Sequence, residues 1–156
     1  MEYRVAERKD IPLLLSFIKK LAEYENMTDD VVTDEETLEK WLFNKEKAEV
    51  IFALEDGKEV GYALFFYNFS TFLGRAGIYL EDLFILPEYR GKGYGKGLLK
   101  TLAKIAVDNG YGRLEWSCLD WNKPSIDFYL SLGAEPLTDW TMYRATGDSL
   151  KKLAED

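Results

Sequence analysis

One segment, Arg90-Gly91-Lys92-Gly93-Tyr94-Gly95-Lys96-Gly97, limits the architecture more than any other. Four glycines alternate there with basic and aromatic residues. Upstream lies a β-prone run, Gly77 to Leu86, closed by Pro87. Downstream, Leu98, Leu99, Leu102, Ile105 and Ala106 recur at helical spacing to about Asp108. A strand that passes through glycines straight into a helix belongs to an α/β fold. The turn also has chemical meaning. Glycine lets successive N–H groups face one point with no Cβ in the way. The helix N-terminus adds partial positive charge, and Arg90, Lys92 and Lys96 add whole charges. Such a turn suits an anion of pyrophosphate size.

The remaining segments fill in the architecture. Tyr3 to Val5 predicts a first strand, and Asp10 with Pro12 predicts the start of a helix running to about Glu25. Asn26 to Val32 reads as an acidic loop. Thr33 and Glu36 form a capping-box pattern for a second helix to about Phe43. Glu49 to Leu54, the Asp56-Gly57 turn and Val60 to Tyr67 predict a hairpin. Asn68 to Ala76, with Phe69 and Phe72, reads as a loop. Arg113 to Leu119 predicts a strand, and Asn122 caps a helix that stops at Gly133. Thr138 to Tyr143 predicts a last strand and Ser149 to Ala154 a short helix. The order β-α-α-β-β-β-α-β-α-β predicts an α/β fold: a mixed central sheet flanked by helices, antiparallel at first and then crossing over. At 156 residues the chain suits a single domain spanning 1–156.

Composition narrows the chemistry. Histidine is absent, which removes a His base, Ser-His and Cys-His nucleophile pairs and the commonest metal ligand. The single cysteine, Cys118, leaves no disulfide framework and no Cys-based zinc site, and no metal is expected. A reducing compartment follows, and a cytoplasmic setting is expected. A net charge of −8 opposes phosphate backbones, so no nucleic-acid partner is expected, while a cationic small molecule is compatible. No apolar run approaches the roughly 20 residues of a membrane span, and residues 1–10 lack an apolar signal core.

Motif checks sharpen the glycine turn. G-x-x-x-x-G-K-[ST] fails, since no Gly-Lys is followed by Ser or Thr. G-x-G-x-x-G fails too, with Lys96 or Leu98 at the third glycine position. R-x-x-G-x-G does match, at Arg90, Gly93 and Gly95. Further on, Trp121-Asn122-x-Pro-Ser-x-x-Phe-Tyr-x-x-x-Gly-Ala spans 121 to 134. Together these resemble the coenzyme-A loop and the tyrosine-bearing helix of the GCN5-related N-acetyltransferase superfamily. Tyr79 to Gly93 and Leu21-Ala22-Glu23-Tyr24-Glu25 resemble its diamine branch, which acetylates spermidine, spermine or thialysine.

That resemblance implies acetyl-CoA as cosubstrate, a small cationic amine as acceptor, and a homodimer. It implies cosubstrate contacts from Leu83, Phe84, Ile85, Arg90, Gly91, Lys92, Gly93, Tyr94, Gly95, Lys96, Asn122 and Ser125, with the pantetheine arm along Leu83–Ile85 like an added strand. A backbone N–H near Leu83–Ile85 is expected to face the developing oxyanion. Tyr24, Glu25 and Glu81 are expected to hold the amine. The reaction implied is direct attack of the amine on the thioester. A lysine-like amine near pKa 10.4 is neutral in roughly one part in 2,500 at pH 7, a cost of about 4.6 kcal/mol. Glu81 is the candidate base, directly or through water, and Tyr129 the candidate acid that returns a proton to the departing thiolate. A Glu81 that merely anchors the substrate's cation or sits on the surface, and a Tyr129 that is a core aromatic, remain the plainer alternatives. Strand alternation predicts that only one of Glu81 and Asp82 faces the cleft.

Other residues read as structural. Cys118 is a small core hydrophobe, and Trp116, Trp121 and Trp140 are core residues. Glu23, Asp29, Asp30, Asp34 and Asp139 are solvated acids. Two rival functions stand beside the first: acetylation of a protein terminus or lysine, and a non-catalytic acetyl-CoA-binding module.

Overall fold

The computed structural model describes residues 1–155. They form two compact units, Met1–Ser117 and the residues from Cys118 onward. The first unit is a five-stranded sheet in the order β1-β2-β3-β4-β5, with β1 Glu2–Val5, β2 Glu49–Glu55, β3 Lys58–Ser70, β4 Arg75–Ile85 and β5 Leu114–Trp116. Neighbours are antiparallel except β4 and β5, which run parallel. The mixed sheet expected from the sequence is therefore present. Helices α1 (Ile11–Tyr24), α2 (Glu35–Glu39) and α3 (Tyr94–Asp108) belong to the same unit.

Strand alternation splits the core into two layers. Val50, Phe52, Leu54, Tyr62 and Phe84 face one way and pack with Ile11, Leu14 and Phe17 of α1, and with Leu42 and Leu86. The Phe17 ring stacks on Tyr62 at 6.0 Å and meets Phe84 at 6.3 Å. Ile51, Ala53, Ala63, Phe65, Ile78 and Leu80 face the other way and are buried, as are Leu98, Leu99, Leu102 and Ala106 of α3.

Asp10 stands at the start of α1 as expected, but its side chain makes no cap there. It binds the Arg4 guanidinium through both oxygens at 2.8 Å and accepts from the Glu7 N–H. The Arg4 hydrogen bond holds the Asp10 carboxyl below the usual aspartate range. Asp34, rather than Thr33, caps α2, accepting from the Thr37 N–H at 2.8 Å. This helix loosens into a π-turn over Lys40–Asn44, so the single helix expected to Phe43 is two pieces. Asp56 and Gly57, both at positive φ, make the tight turn between β2 and β3.

The expected 68–76 loop is mostly strand. β3 runs to Ser70 and β4 begins at Arg75, pairing Asn68 with Gly77 and Ser70 with Arg75. Cross-strand hydrogen bonds, not side-chain polarity, decide that stretch. β5 covers only Leu114–Trp116 of the expected 113–119.

The second unit holds α4 (Lys123–Ser131) and α5 (Gly147–Ala154). Asn122 caps α4 through its side chain, accepting from the Ser125 N–H at 3.4 Å, and Gly133 follows at φ +85°. Thr138–Tyr143 forms no strand: a turn spans 138–139, and no described strand pairs with the segment. A strand exists only where a neighbour takes up its N–H and C=O groups. Trp121 and Trp140 are exposed rather than core, while Trp116 is half-buried. Among the described residues no helix is long and apolar enough to cross a membrane.

Candidate active site

The site grows from the second half of β4. Up to Leu80 this strand pairs with both β3 and β5; from Glu81 onward only β3 accompanies it. The register changes at the same step. Leu64 opposes Asp82 and Phe65 opposes Leu80, which leaves Glu81 as an extra residue in a β-bulge. Tyr79 lies against Phe66 (rings 5.2 Å apart) and Phe84 against Tyr62 (6.4 Å). On β3 those two partners are an even number of residues apart; on β4 they are an odd number apart. The bulge absorbs the difference. Alternation, the basis for expecting only one of Glu81 and Asp82 to face the cleft, therefore does not hold across this pair.

Asp82 shares a sheet face with Phe84 and Tyr62, and accepts a hydrogen bond on Oδ2 from the Tyr62 hydroxyl at 2.9 Å. Its carboxyl is pushed up to about 6, chiefly by burial; the Tyr62 hydrogen bond opposes the rise, and the charges of Glu81 and Glu25 add to it. Glu25, at the end of α1, is raised by its own burial. Glu81 is exposed. Three carboxylates from two elements thus interact at this end of β4, and no cation pairs with Asp82 among the described residues. Strand alternation brings in Asp82 only as the alternative to Glu81, and nothing in the sequence points to Tyr62. Tyr62 carried no local signal, because its role depends on a partner in another strand.

Arg90 has local partners. Its Nε donates to the Ile85 carbonyl at 2.9 Å, and its guanidinium lies 4.8 Å from the Tyr24 ring and 5.5 Å from the Phe84 ring. It ties the end of α1, the end of β4 and the glycine turn together. Phe84 and Ile85 are buried and Leu83 half-buried.

The glycines divide their work. Gly91 (φ +78°) and Gly93 (φ +91°) adopt the left-handed conformation that turns the chain into α3, with Gly93 at its N-cap. Gly97 is needed for space: a Cβ there would stand 1.5 Å from the Tyr3 hydroxyl oxygen. The Gly97 N–H is the first to close onto the turn, bonding the Gly93 carbonyl at 2.9 Å, so the amides of Tyr94, Gly95 and Lys96 have no intrahelical acceptor. Lys96 is exposed beside them. Lys92 reaches Glu55 at 3.4 Å and lies over the Tyr89 ring. The Tyr94 ring is buried and its hydroxyl donates to Glu55 at 2.8 Å; desolvation first, and then this bond, push the hydroxyl up to about 12. A cradle of free amides with two lysines and no intruding Cβ fits a diphosphate. Among the described residues no cluster of acidic or cysteine side chains is arranged for a metal ion.

Asn122, Ser125 and Tyr129 lie in the second unit. Asn122 is buried at its cap, and Ser125 presents its N–H to it. Tyr129 is half-buried on α4, its ring 5.5 Å from that of Phe128.

Comparison with known proteins agrees with this geometry. The chain is 38% identical to the thialysine N-epsilon-acetyltransferase of Bos taurus, across 97% of this chain and 95% of that protein. It is 32% identical to an L-ornithine N5-acetyltransferase of Arabidopsis thaliana, across 96% and 86%. An integron cassette protein from the mobile metagenome of V. cholerae superposes with a TM-score of 0.83 at 29% identity, covering 99% of this chain and 98% of that one. Residues 16–134 match the acetyltransferase (GNAT) family as a whole. On these matches the chain belongs to the acetyltransferase (GNAT) family and is an N-acetyltransferase.

Proposed function

We propose that this chain moves an acetyl group from acetyl-CoA to a primary amine of a small cationic substrate: a diamine, a polyamine or a lysine analogue. The observation that carries the reading is the gathering of Glu25, Glu81 and Asp82 at the end of the strand that feeds the glycine turn. A neutral or anionic acceptor gains nothing from three carboxylates; a cationic one does. The thialysine and ornithine acetyltransferases among the relatives act on acceptors of that kind.

In this reading the amides of Tyr94–Lys96, with Lys92 and Lys96, hold the diphosphate, and Leu83–Ile85 line the pantetheine arm. Arg90 supports the cradle from beneath through Ile85, Tyr24 and Phe84. Acetyl-CoA supplies an electrophilic thioester carbonyl. Glu81, exposed on its bulge, takes the amine proton directly or through a water, and the Tyr129 hydroxyl returns one to the thiolate. A β4 backbone N–H beyond Glu81 faces the carbonyl oxygen as charge builds there. Asn122 and Ser125 shape the start of the tyrosine helix. We take 1–156 as one catalytic domain, since the family match runs through both units. A homodimer in a reducing, cytoplasmic setting completes the proposal; sedimentation at micromolar concentration tests the first part.

The deciding experiment follows thiol release from acetyl-CoA with spermidine, putrescine, lysine, thialysine, ornithine and a basic peptide. Saturable turnover of one free amine at higher kcat/KM than the peptide supports the reading. Peptide preference replaces it with protein acetylation, and release with no amine overturns it.

A further inference from the structure

Tyr62 is a wholly buried side chain that packs as phenylalanine would, against Phe17 and Phe84. Its hydroxyl adds nothing to that packing and costs free energy to bury unless it finds a partner. The partner is one oxygen of Asp82. The second oxygen, Oδ1, has no hydrogen bond among the described residues, and Asp82 makes no ion pair there. The groups that face Asp82 are Tyr62 on β3, Glu81 on its own strand and Glu25 at the end of α1. The nearby cation, Arg90, is committed to the Ile85 carbonyl and to two aromatic rings. Asp82 thus lies among like charges with one donor and a spare oxygen.

We propose that Tyr62 is a positioning residue for amine recognition: its hydroxyl orients Asp82 and favours the ionised carboxylate, leaving Oδ1 to pair with an ammonium group of the substrate. The inference rests on the amine-acetyltransferase reading above and adds a residue that touches neither substrate nor cosubstrate. The sign of its pH dependence follows. Asp82 loses its charge as pH falls through about 6, so amine binding weakens in that range. Without the Tyr62 donor, burial and the two neighbouring acids act unopposed, and the loss of charge moves to higher pH.

The test is Tyr62→Phe, assayed with whichever amine of the panel has the highest kcat/KM. KM for that amine should rise about tenfold, equivalent to the loss of one charge-assisted hydrogen bond. kcat and the KM for acetyl-CoA should change less than twofold, and the low-pH limb of kcat/KM should shift upward. A purely structural tyrosine would lower thermal stability and leave that limb in place. A second readout follows the Asp82 carboxyl carbon by 13C NMR. In the wild type its titration should move to lower pH when the same amine is added; in Tyr62→Phe without amine it should move to higher pH. An unchanged KM and limb, or an Asp82 signal indifferent to the amine, overturns the proposal. Should the variant not fold, the wild-type titration decides alone. Thiol release by no amine at all defeats the functional reading and this inference with it. Wild-type turnover with a variant that matches it defeats only this inference.

Discussion

The two halves of β4 differ in one respect, and the candidate chemistry follows that difference. Ala76 to Leu80 is clasped on both sides: β3 pairs with it throughout, and the 112–116 segment closes the other edge through the Gly112 N–H to Ala76, the Ile78 N–H to Arg113 and the parallel ladder beyond. Glu81 to Ile85 keeps β3 alone. Several polar side chains around the clasped half pair with one another. Tyr79 bonds Ser117 at 2.7 Å, and Glu115 takes a hydrogen bond from Asn68 and an ion pair from Arg113. The open half carries an exposed Glu81 and an Asp82 whose second oxygen is unassigned. The carboxylates of the candidate site gather where β4 has one neighbouring strand instead of two.

Four sets of variants can break or sharpen this contrast. The largest expected effect is on turnover. Glu81→Gln in the open half should lower kcat by ~10²-fold or more while coenzyme affinity stays near wild type. Tyr129→Phe should lower kcat by roughly one to three orders of magnitude, again with coenzyme affinity nearly intact. Unchanged turnover makes either residue structural. Next come two glycines, one facing each half. A Cβ at Gly61 would stand 2.5 Å from the Phe84 carbonyl oxygen and 2.4 Å from Ile85 Cδ1, so Gly61→Ala must displace the open half. It should cost about 1–3 kcal/mol of stability in urea unfolding and also reduce kcat/KM. A Cβ at Gly77, in the clasped half, would press on Asn68 Oδ1 at 2.7 Å, Arg113 Cγ at 2.9 Å and the Arg113 carbonyl oxygen at 3.0 Å. Gly77→Ala should lower stability with kcat/KM within about twofold. Equal losses of activity would erase the contrast.

Asp82→Asn tests the open half through pH. The folded state raises this carboxyl to about 6, so between the unfolded value near 4 and that pH the folded protein holds the extra proton and stability falls as pH rises. Replacing the charge should therefore stabilise the protein at pH 7 to 8, by up to ~3 kcal/mol, with the gain fading as pH drops from about 6 and gone near pH 4. Thermal unfolding across that range measures it. The smallest effect belongs to Tyr79→Phe in the clasped half: loss of an exposed hydrogen bond, below about 1 kcal/mol, with activity unchanged.

What could be read without coordinates was whatever local chemistry settles. Leucines of α3 at three- and four-residue spacing, Asn122 ahead of Pro124, and Asp56-Gly57 each contain their own explanation. The glycine turn did too, because left-handed Gly91 and Gly93 announce themselves as residues. Features decided by a distant partner stayed hidden. Asn68 to Ala76 reads as a loop on its own, and pairing between β3 and β4 extends strand to Ser70 and from Arg75. The bulge at Glu81 is a mismatch between two strands, so neither strand alone contains it. The rings beside Arg90 come from α1 and β4, so its charge is legible in the sequence and its aromatic setting is not. Thr138 to Tyr143 erred in the other direction, with strand composition and no neighbour to make it one.

The contact of Tyr3 with Gly97 has a consequence for how the protein matures. The residues that would grip the coenzyme's diphosphate lie close together in the chain, yet the start of their helix is seated against the first strand of the sheet. Local preference can sketch that turn early in folding, but its final shape waits until the most sequence-distant strand has docked, and such closures come late. The newly made chain should therefore collapse first and gain its hold on the coenzyme afterwards, as one of the last properties to appear.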